Sequence, residues 1–121
     1  MARSESSTEP IAAGASITPE EAYRALQGHP QWIVERDSIH RDFRLSSFAE
    51  AIDFIKRVAL VAEALGHHPN IRLHEWCFVQ LEVYSHLSGG LTGRDVGLAI
   101  AIDAMLEDGE PAHSSIDAPT A

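Results

Sequence analysis

Apolar and polar residues change period repeatedly along this chain, and each change marks an element. Thr18, Pro19, Glu20 and Glu21 read as a helix start: the Thr side chain caps, Pro suits the first turn, and Glu21 completes a capping box. The helix is expected to run to about Gln27, where Gly28, His29 and Pro30 break it. Trp32, Ile33 and Val34 then begin a strand that turns around Asp37 and Ser38 and returns over Ile39 to Leu45. In the return, Ile39, Arg41, Phe43 and Leu45 alternate with His40, Asp42 and Arg44, the period-two pattern of a half-buried antiparallel hairpin.

Ser47 and Glu50 frame a second capping box, and the helix they open runs without Gly or Pro to Leu65, where Gly66 is placed to end it. Its apolar residues fall into two stripes, Phe48, Ile52, Ile55, Ala59 and Ala62 beside Ala51, Phe54, Val58, Val61 and Leu65. Together they are wider than one contact with a sheet requires, so a homodimer or homotetramer is expected to cover the surplus.

Beyond His67, His68 and Pro69, a short strand is expected near Ile71 to Leu73, then a tight reversal and a longer strand from about Trp76 to His86. Cys77, Val79, Leu81 and Val83 share the core face of that strand, with Trp76, Phe78, Gln80, Glu82, Tyr84 and His86 on the other. A loop at Ser88, Gly89 and Gly90 precedes Thr92, which caps a last helix through Val96, Ala99, Ile102 and Leu106. The order helix, two strands, helix, two strands, helix predicts an α+β fold: a four-stranded antiparallel sheet with three helices packed on one face. The domain is expected over residues 18–106, with flexible tails at 1–17 and 107–121, where small and polar residues predominate.

Composition narrows the function classes. The 121 residues support one core. Nine Lys and Arg against eighteen Asp and Glu give a net charge of -9, which repels phosphate backbones and anionic membranes, so neither direct nucleic-acid binding nor membrane association is expected. The single cysteine, Cys77, lies in an apolar run and has no intrachain partner for a disulfide. With neither a secretory signal nor a membrane span in view, a cytoplasmic protein is expected.

Chemistry concentrates on His67, His68 and His86, because imidazoles both accept and donate protons near neutral pH. Pro69 biases His68 toward extended backbone, so the adjacent rings diverge around one cavity. Trp76 and Tyr84 share the face of His86 and are expected to line a site for a flat ring, although Trp76 serves packing equally well. Asp95 stands at the third helical position after Thr92, where a carboxylate closes a capping box, and the residues alone favour that role. A metal site would need His67, His68 and His86, with His74, around one ion. Adjacent histidines are a weak ligand signal, and no metal is expected.

Glu63, three residues, His67, His68, Pro69, six residues, Trp76, nine residues, His86, eight residues, Asp95 resembles the signature of the pterin-4a-carbinolamine dehydratases. The similarity reaches upstream through Gln31, Trp32, the Arg36 to Ile39 hairpin, Phe43 and Arg57 to Ala59, covering roughly Thr18 to Leu106. The resemblance implies the same antiparallel sheet with three helices. It implies dehydration of 4a-hydroxytetrahydropterin to quinonoid dihydropterin in tetrahydrobiopterin recycling, a hydro-lyase reaction that needs no cofactor. It carries over His67, His68 and His86 as the catalytic set, with His68 or His86 on the departing hydroxyl and His67 as the base or its orienting group. Glu63, Trp32, Trp76 and Ser85 become substrate-binding positions, with Glu63 either orienting an imidazole or contacting the polar edge of the pterin, and Pro69 and Asp95 structural members of the signature. The family also implies an alternative: a catalytically weak module with a protein partner, as a dimerisation cofactor or as an assembly factor such as those for Rubisco in carboxysome systems. Two positions depart from the pattern. Gly66 stands where several members carry an acid before the histidine pair, and Trp76 follows at the longer of two spacings.

Overall fold

The computed structural model describes residues 14–85 and 90–109, the side chains of 108 and 109 excepted. His86 and the loop residues 87–89 lie outside the described residues, as do 1–13 and 110–121 of the expected tails. The chain forms α1 (Pro19–Ala25), β1 (Ile33–Val34), β2 (Ile39–Arg44), α2 (Phe48–Leu65), β3 (Asn70–His74), β4 (Phe78–Val83) and α3 (Gly93–Gly109). The fold is α+β, with a four-stranded antiparallel sheet in the order β1-β2-β4-β3. The connection from β2 through α2 to β3 places β4 between them, so the two longest strands are neighbours at the centre.

Caps fix the helix starts as their sequences imply. The Thr18 side chain accepts from the Glu21 amide at 3.0 Å while Glu21 accepts from the Thr18 amide at 2.8 Å, a full capping box. Ser47 accepts from the Glu50 amide at 3.1 Å, and the Glu50 carboxylate takes the Ser46 hydroxyl. α2 ends where Gly66 turns into the left-handed region, φ 68°, a conformation that costs a residue without Cβ nothing. The Gly66 and His67 amides then bond back to Glu63 and Ala62 carbonyls at 3.3 and 3.2 Å.

The core lies between sheet and helices. Ile39 and Phe43 from β2, Val79, Leu81 and Val83 from β4, Ala51, Phe54, Val58 and Ala62 from α2, and Leu98, Ala99 and Ile102 from α3 are all buried. Phe43 and Phe54 meet tilted at 49° with centroids 4.6 Å apart, an arrangement the ring quadrupoles favour. Of the two apolar stripes on α2, the one through Ala51, Phe54 and Val58 enters this core, while Phe48 and Ile52 of the other remain 55% and 39% exposed.

Several boundaries move from their expected places. Glu75 and Trp76 both adopt positive φ, 48° and 54°, to make a two-residue reversal, so β4 starts at Phe78 and Trp76 belongs to the turn. β1 spans only Ile33 and Val34, because Trp32 turns inward to the core. α1 stops at Ala25, β3 is longer than expected, and α3 continues to Gly109. Residues 15–17 pair with the segment before α3: the Ile17 amide donates to Leu91 at 3.0 Å and the Gly93 amide to Ala15 at 3.1 Å.

Candidate active site

The site assembles where the end of α2, the end of β4 and the start of α3 converge. Gly66 releases the chain from α2, so His67 and His68 leave the helix end pointing to different partners. His67 turns inward: its Nε2 lies 2.6 Å from Oδ1 of Asp95, and its side chain is 14% exposed. His68 turns outward: its Nε2 lies 3.0 Å from Oε2 of Glu63, and both side chains are exposed. Each imidazole is thus anchored through Nε2 on a carboxylate, one fully buried, the other exposed.

Asp95 is completely buried, and an ionised group there is tolerable only if its oxygens are hydrogen-bonded. They are. Oδ2 receives the Thr92 amide at 2.8 Å and the Ser85 hydroxyl at 3.0 Å, while Oδ1 faces His67. Thr92 precedes α3, and its Oγ1 accepts from the Arg94 amide at 3.1 Å, so Asp95 closes a cap across the helix start. The positive end of α3 adds further stabilisation to the carboxylate. Asp95 therefore serves both readings of its sequence position: it caps α3 and it anchors His67.

A cavity of about 600 Å³ opens beside this arrangement, lined by Gly14, Gly66, His67, His68, Pro69, Asn70, Tyr84, Ser85, Thr92 and Arg94. That volume falls in the ordinary range for small-molecule sites. His67, His68 and Pro69 meet Ser85 here from two separate parts of the sequence, with Glu63 and Asp95 behind the imidazoles. Tyr84 lines the cavity as an aromatic wall. The two tryptophans do not. Trp32 is buried in the core, donating its indole N–H to Asp103 at 2.9 Å, and Trp76 is exposed in the β3–β4 turn. His86 follows Ser85 in sequence and lies outside the described residues. Among the described residues, no group of three or more His, Cys, Asp and Glu side chains converges as metal ligands would.

Sequence reasoning missed Asn70 and Arg94 as lining residues. Asn70 sits next to Pro69 and donates its side-chain amide to Glu82 across the β3–β4 pair at 3.3 Å. Its adjacency to the histidine pair was the available signal. Arg94 had a weaker one, its place in the first turn of a helix whose cap was already recognised.

A second polar cluster was also missed. Asp103 on α3 accepts from His29 at 2.6 Å, Trp32 at 2.9 Å and Arg41 at 2.8 Å. The Arg41 guanidinium lies 4.4 Å from the Phe43 ring centroid and 5.8 Å from that of Trp32. The signal was in β2, where alternation puts Arg41 between Ile39 and Phe43 on the core face: a buried guanidinium demands a buried acid.

A family model for pterin 4 alpha carbinolamine dehydratase matches residues 15–105. A relative from Chloroflexus aurantiacus, provisionally named for that activity, is 41% identical over 90 residues, 74% of this chain and 96% of its own length. A solved structure of a transcriptional coactivator/pterin dehydratase from Brucella melitensis superposes with a TM-score of 0.65 at 30% identity, covering 74% of this chain and 96% of that one. A pterin dehydratase-like protein described as a RuBisCO assembly factor in the alpha-carboxysome superposes with a TM-score of 0.51 at 22% identity, over 64% of this chain and 90% of that one, and shares the fold.

Proposed function

The chain belongs to the pterin 4 alpha carbinolamine dehydratase family, and we propose that it carries out the family's reaction, removing water from a 4a-hydroxytetrahydropterin to give the quinonoid dihydropterin. The observation that carries this reading is the pairing of His67 with fully buried Asp95 on the wall of a cavity that His68 also lines. The elimination breaks the C4a–O bond, removes the N5 proton and forms a C4a=N5 double bond. A base must take the N5 proton while an acid protonates the departing hydroxyl, and neutral imidazole and imidazolium suit these tasks near neutral pH.

The two histidines of the proposed catalytic set that are described, His67 and His68, differ in the way this chemistry needs. His67, fixed by a buried acid, suits the base, which works from a constant position. His68, exposed on Glu63, exchanges protons freely with solvent and suits the acid at the hydroxyl, a task His86 is proposed to share. Tyr84 offers the pterin an aromatic surface. Ser85 acts through Asp95 in this reading, which assigns no substrate contact to Trp32 or Trp76. No metal or redox cofactor enters the scheme. The proposed setting is cytoplasmic; among the described residues no helix is long and apolar enough to cross a membrane.

Stopped-flow decay of enzymatically generated 4a-carbinolamine tests the proposal. Pure protein at micromolar concentration is expected to accelerate the decay over buffer, and absence of acceleration defeats the reading. A second reading, a catalytically weak module that assembles another protein, draws on the exposed Phe48 and Ile52 of α2 and on Gly66 beside the histidine pair. Full dehydratase turnover together with a pull-down that returns no stoichiometric partner would remove it.

A further inference from the structure

The hydroxyl groups behind His67 have only one consistent set of donors. Ser85 Oγ lies 3.0 Å from Asp95 Oδ2 and 2.9 Å from Thr92 Oγ1. An ionised carboxylate only accepts, so the single Ser85 proton goes to Asp95. The Ser85–Thr92 bond must then use the Thr92 proton, and Thr92 Oγ1 is free to do so because it accepts, rather than donates, in its contact with the Arg94 amide. The chain of donation runs from Thr92 to Ser85 to Asp95, with the Thr92 amide joining at the same oxygen. Asp95 Oδ1 is left facing His67, and the proton of that contact lies on Nε2.

We propose that Ser85 and Thr92 are positioning residues that, through Asp95, lock neutral His67 as its Nε2–H tautomer and leave Nδ1 as the nitrogen that takes a proton from the ligand. All three groups are buried, so water does not compete for these bonds and the tautomer is set by the protein. Losing the Ser85 hydroxyl frees Oδ2 to rotate or to recruit water, losing the Thr92 hydroxyl takes away the donor that orients Ser85, and in either case the Asp95–His67 contact loosens. The ring remains in the cavity; what changes is which nitrogen carries the lone pair.

The proposal deepens the dehydratase reading and depends on it only for its kinetic arm. Two-bond ¹H–¹⁵N correlation spectra of the substrate-free full chain, with His67 assigned by its loss in His67→Gln, read the tautomer directly. The expected result is a proton on Nε2 when the ring is neutral. In Ser85→Ala and Thr92→Val the Nδ1–H form is expected to become measurably populated, with kcat for carbinolamine decay down about tenfold and KM little changed. Thr92→Ser is expected to restore the Nε2–H form and most of the kcat lost in Thr92→Val. A proton on Nδ1 in the unaltered protein overturns the proposal, as do Ser85→Ala spectra and kcat indistinguishable from the parent. Because Thr92 also caps α3, Ser85→Ala and the parent spectrum decide the matter if Thr92→Val does not fold. A protein without dehydratase activity still yields the tautomer, so the two readings fail separately.

Discussion

Asp95 and Asp103 stand about two turns apart on α3, and each holds an imidazole at 2.6 Å, His67 at the first and His29 at the second. Their surroundings divide the labour. Among the described residues Asp95 receives only neutral donors besides its histidine, and it stands behind a cavity. Asp103 neutralises Arg41 in the core and takes the Trp32 indole, away from the cavity lining. One helix thus carries a carboxylate proposed for chemistry and another that holds the fold together.

Removing Asp103 is expected to damage stability and spare the reaction. Asp103→Ala removes the carboxylate that faces the nearly buried Arg41 guanidinium and accepts from Trp32 and His29, and breaking such a pair from one side typically costs ~3–5 kcal/mol. Urea unfolding should show that loss as a lower midpoint, while carbinolamine turnover per folded molecule stays within about twofold. Adding Arg41→Met should recover part of the stability, since the buried guanidinium that faced the lost carboxylate goes with it.

Asp95→Asn should do the reverse. With the amide oxygen placed to accept from Thr92 and Ser85, the Asn NH₂ faces His67 Nε2 and requires a lone pair there. The imidazole is driven into the opposite tautomer while the fold is kept. A fall in kcat of about 10²–10⁴-fold is expected, the full range assigned to general acid–base catalysis. A far-UV spectrum matching the parent and an unchanged kcat would contradict the assignment of His67.

The sequence carried the element order because each helix start and the one sharp helix stop depend on local chemistry: Thr18 with Glu21, Ser47 with Glu50, Thr92 with Asp95, and Gly66. The strand alternation likewise carried the core face of β4. What escaped was set by tertiary partners. Nothing between residues 67 and 95 announces that His67 will meet Asp95, and the capping role of Asp95 was sufficient reason for a carboxylate there. Resemblance points to Trp32 as a substrate contact, and strand face and resemblance together point to Trp76, whereas the Asp103 bond and a left-handed turn keep both out of the cavity lining. Arg41 was visible as a charge on a core face without its partner, which lies 62 positions away.

The Glu63–His68 pair is expected to matter for rate and not for stability. Its side chains are 74% and 61% exposed, and solvent screening leaves such pairs worth at most about 1 kcal/mol. Glu63→Gln should leave the thermal midpoint nearly unchanged and lower kcat modestly by freeing the ring. His68→Ala should lose most of the acceleration, read by the same stopped-flow decay.

Self-association is expected through the outer stripe of α2. Phe48 and Ile52 are large apolar groups one turn apart on a helix whose opposite side already fills the core. Light scattering at micromolar concentration should give a dimer or tetramer, and Phe48→Ser with Ile52→Glu should give a folded monomer. A monomeric parent at that concentration would contradict the prediction.

Gly66 links the helix stop to the imidazole that follows it. Its φ of 68° lies where a Cβ is strained, though among the described residues no atom beyond its own chain neighbours lies within 4 Å of the position a Cβ would take. The penalty for substitution is therefore conformational and not steric: Gly66→Ala should cost ~1 kcal/mol, and Gly66→Asn less, since Asn tolerates left-handed backbone. The same turn directs the His67 amide to the Ala62 carbonyl at 3.2 Å, so relaxing it moves His67 relative to Asp95. Gly66→Ala is thus expected to lower both the thermal midpoint and kcat, and Gly66→Asn to recover both in parallel. If stability recovers and turnover does not, the turn sets only the helix end, and the placement of His67 must come from Asp95 alone.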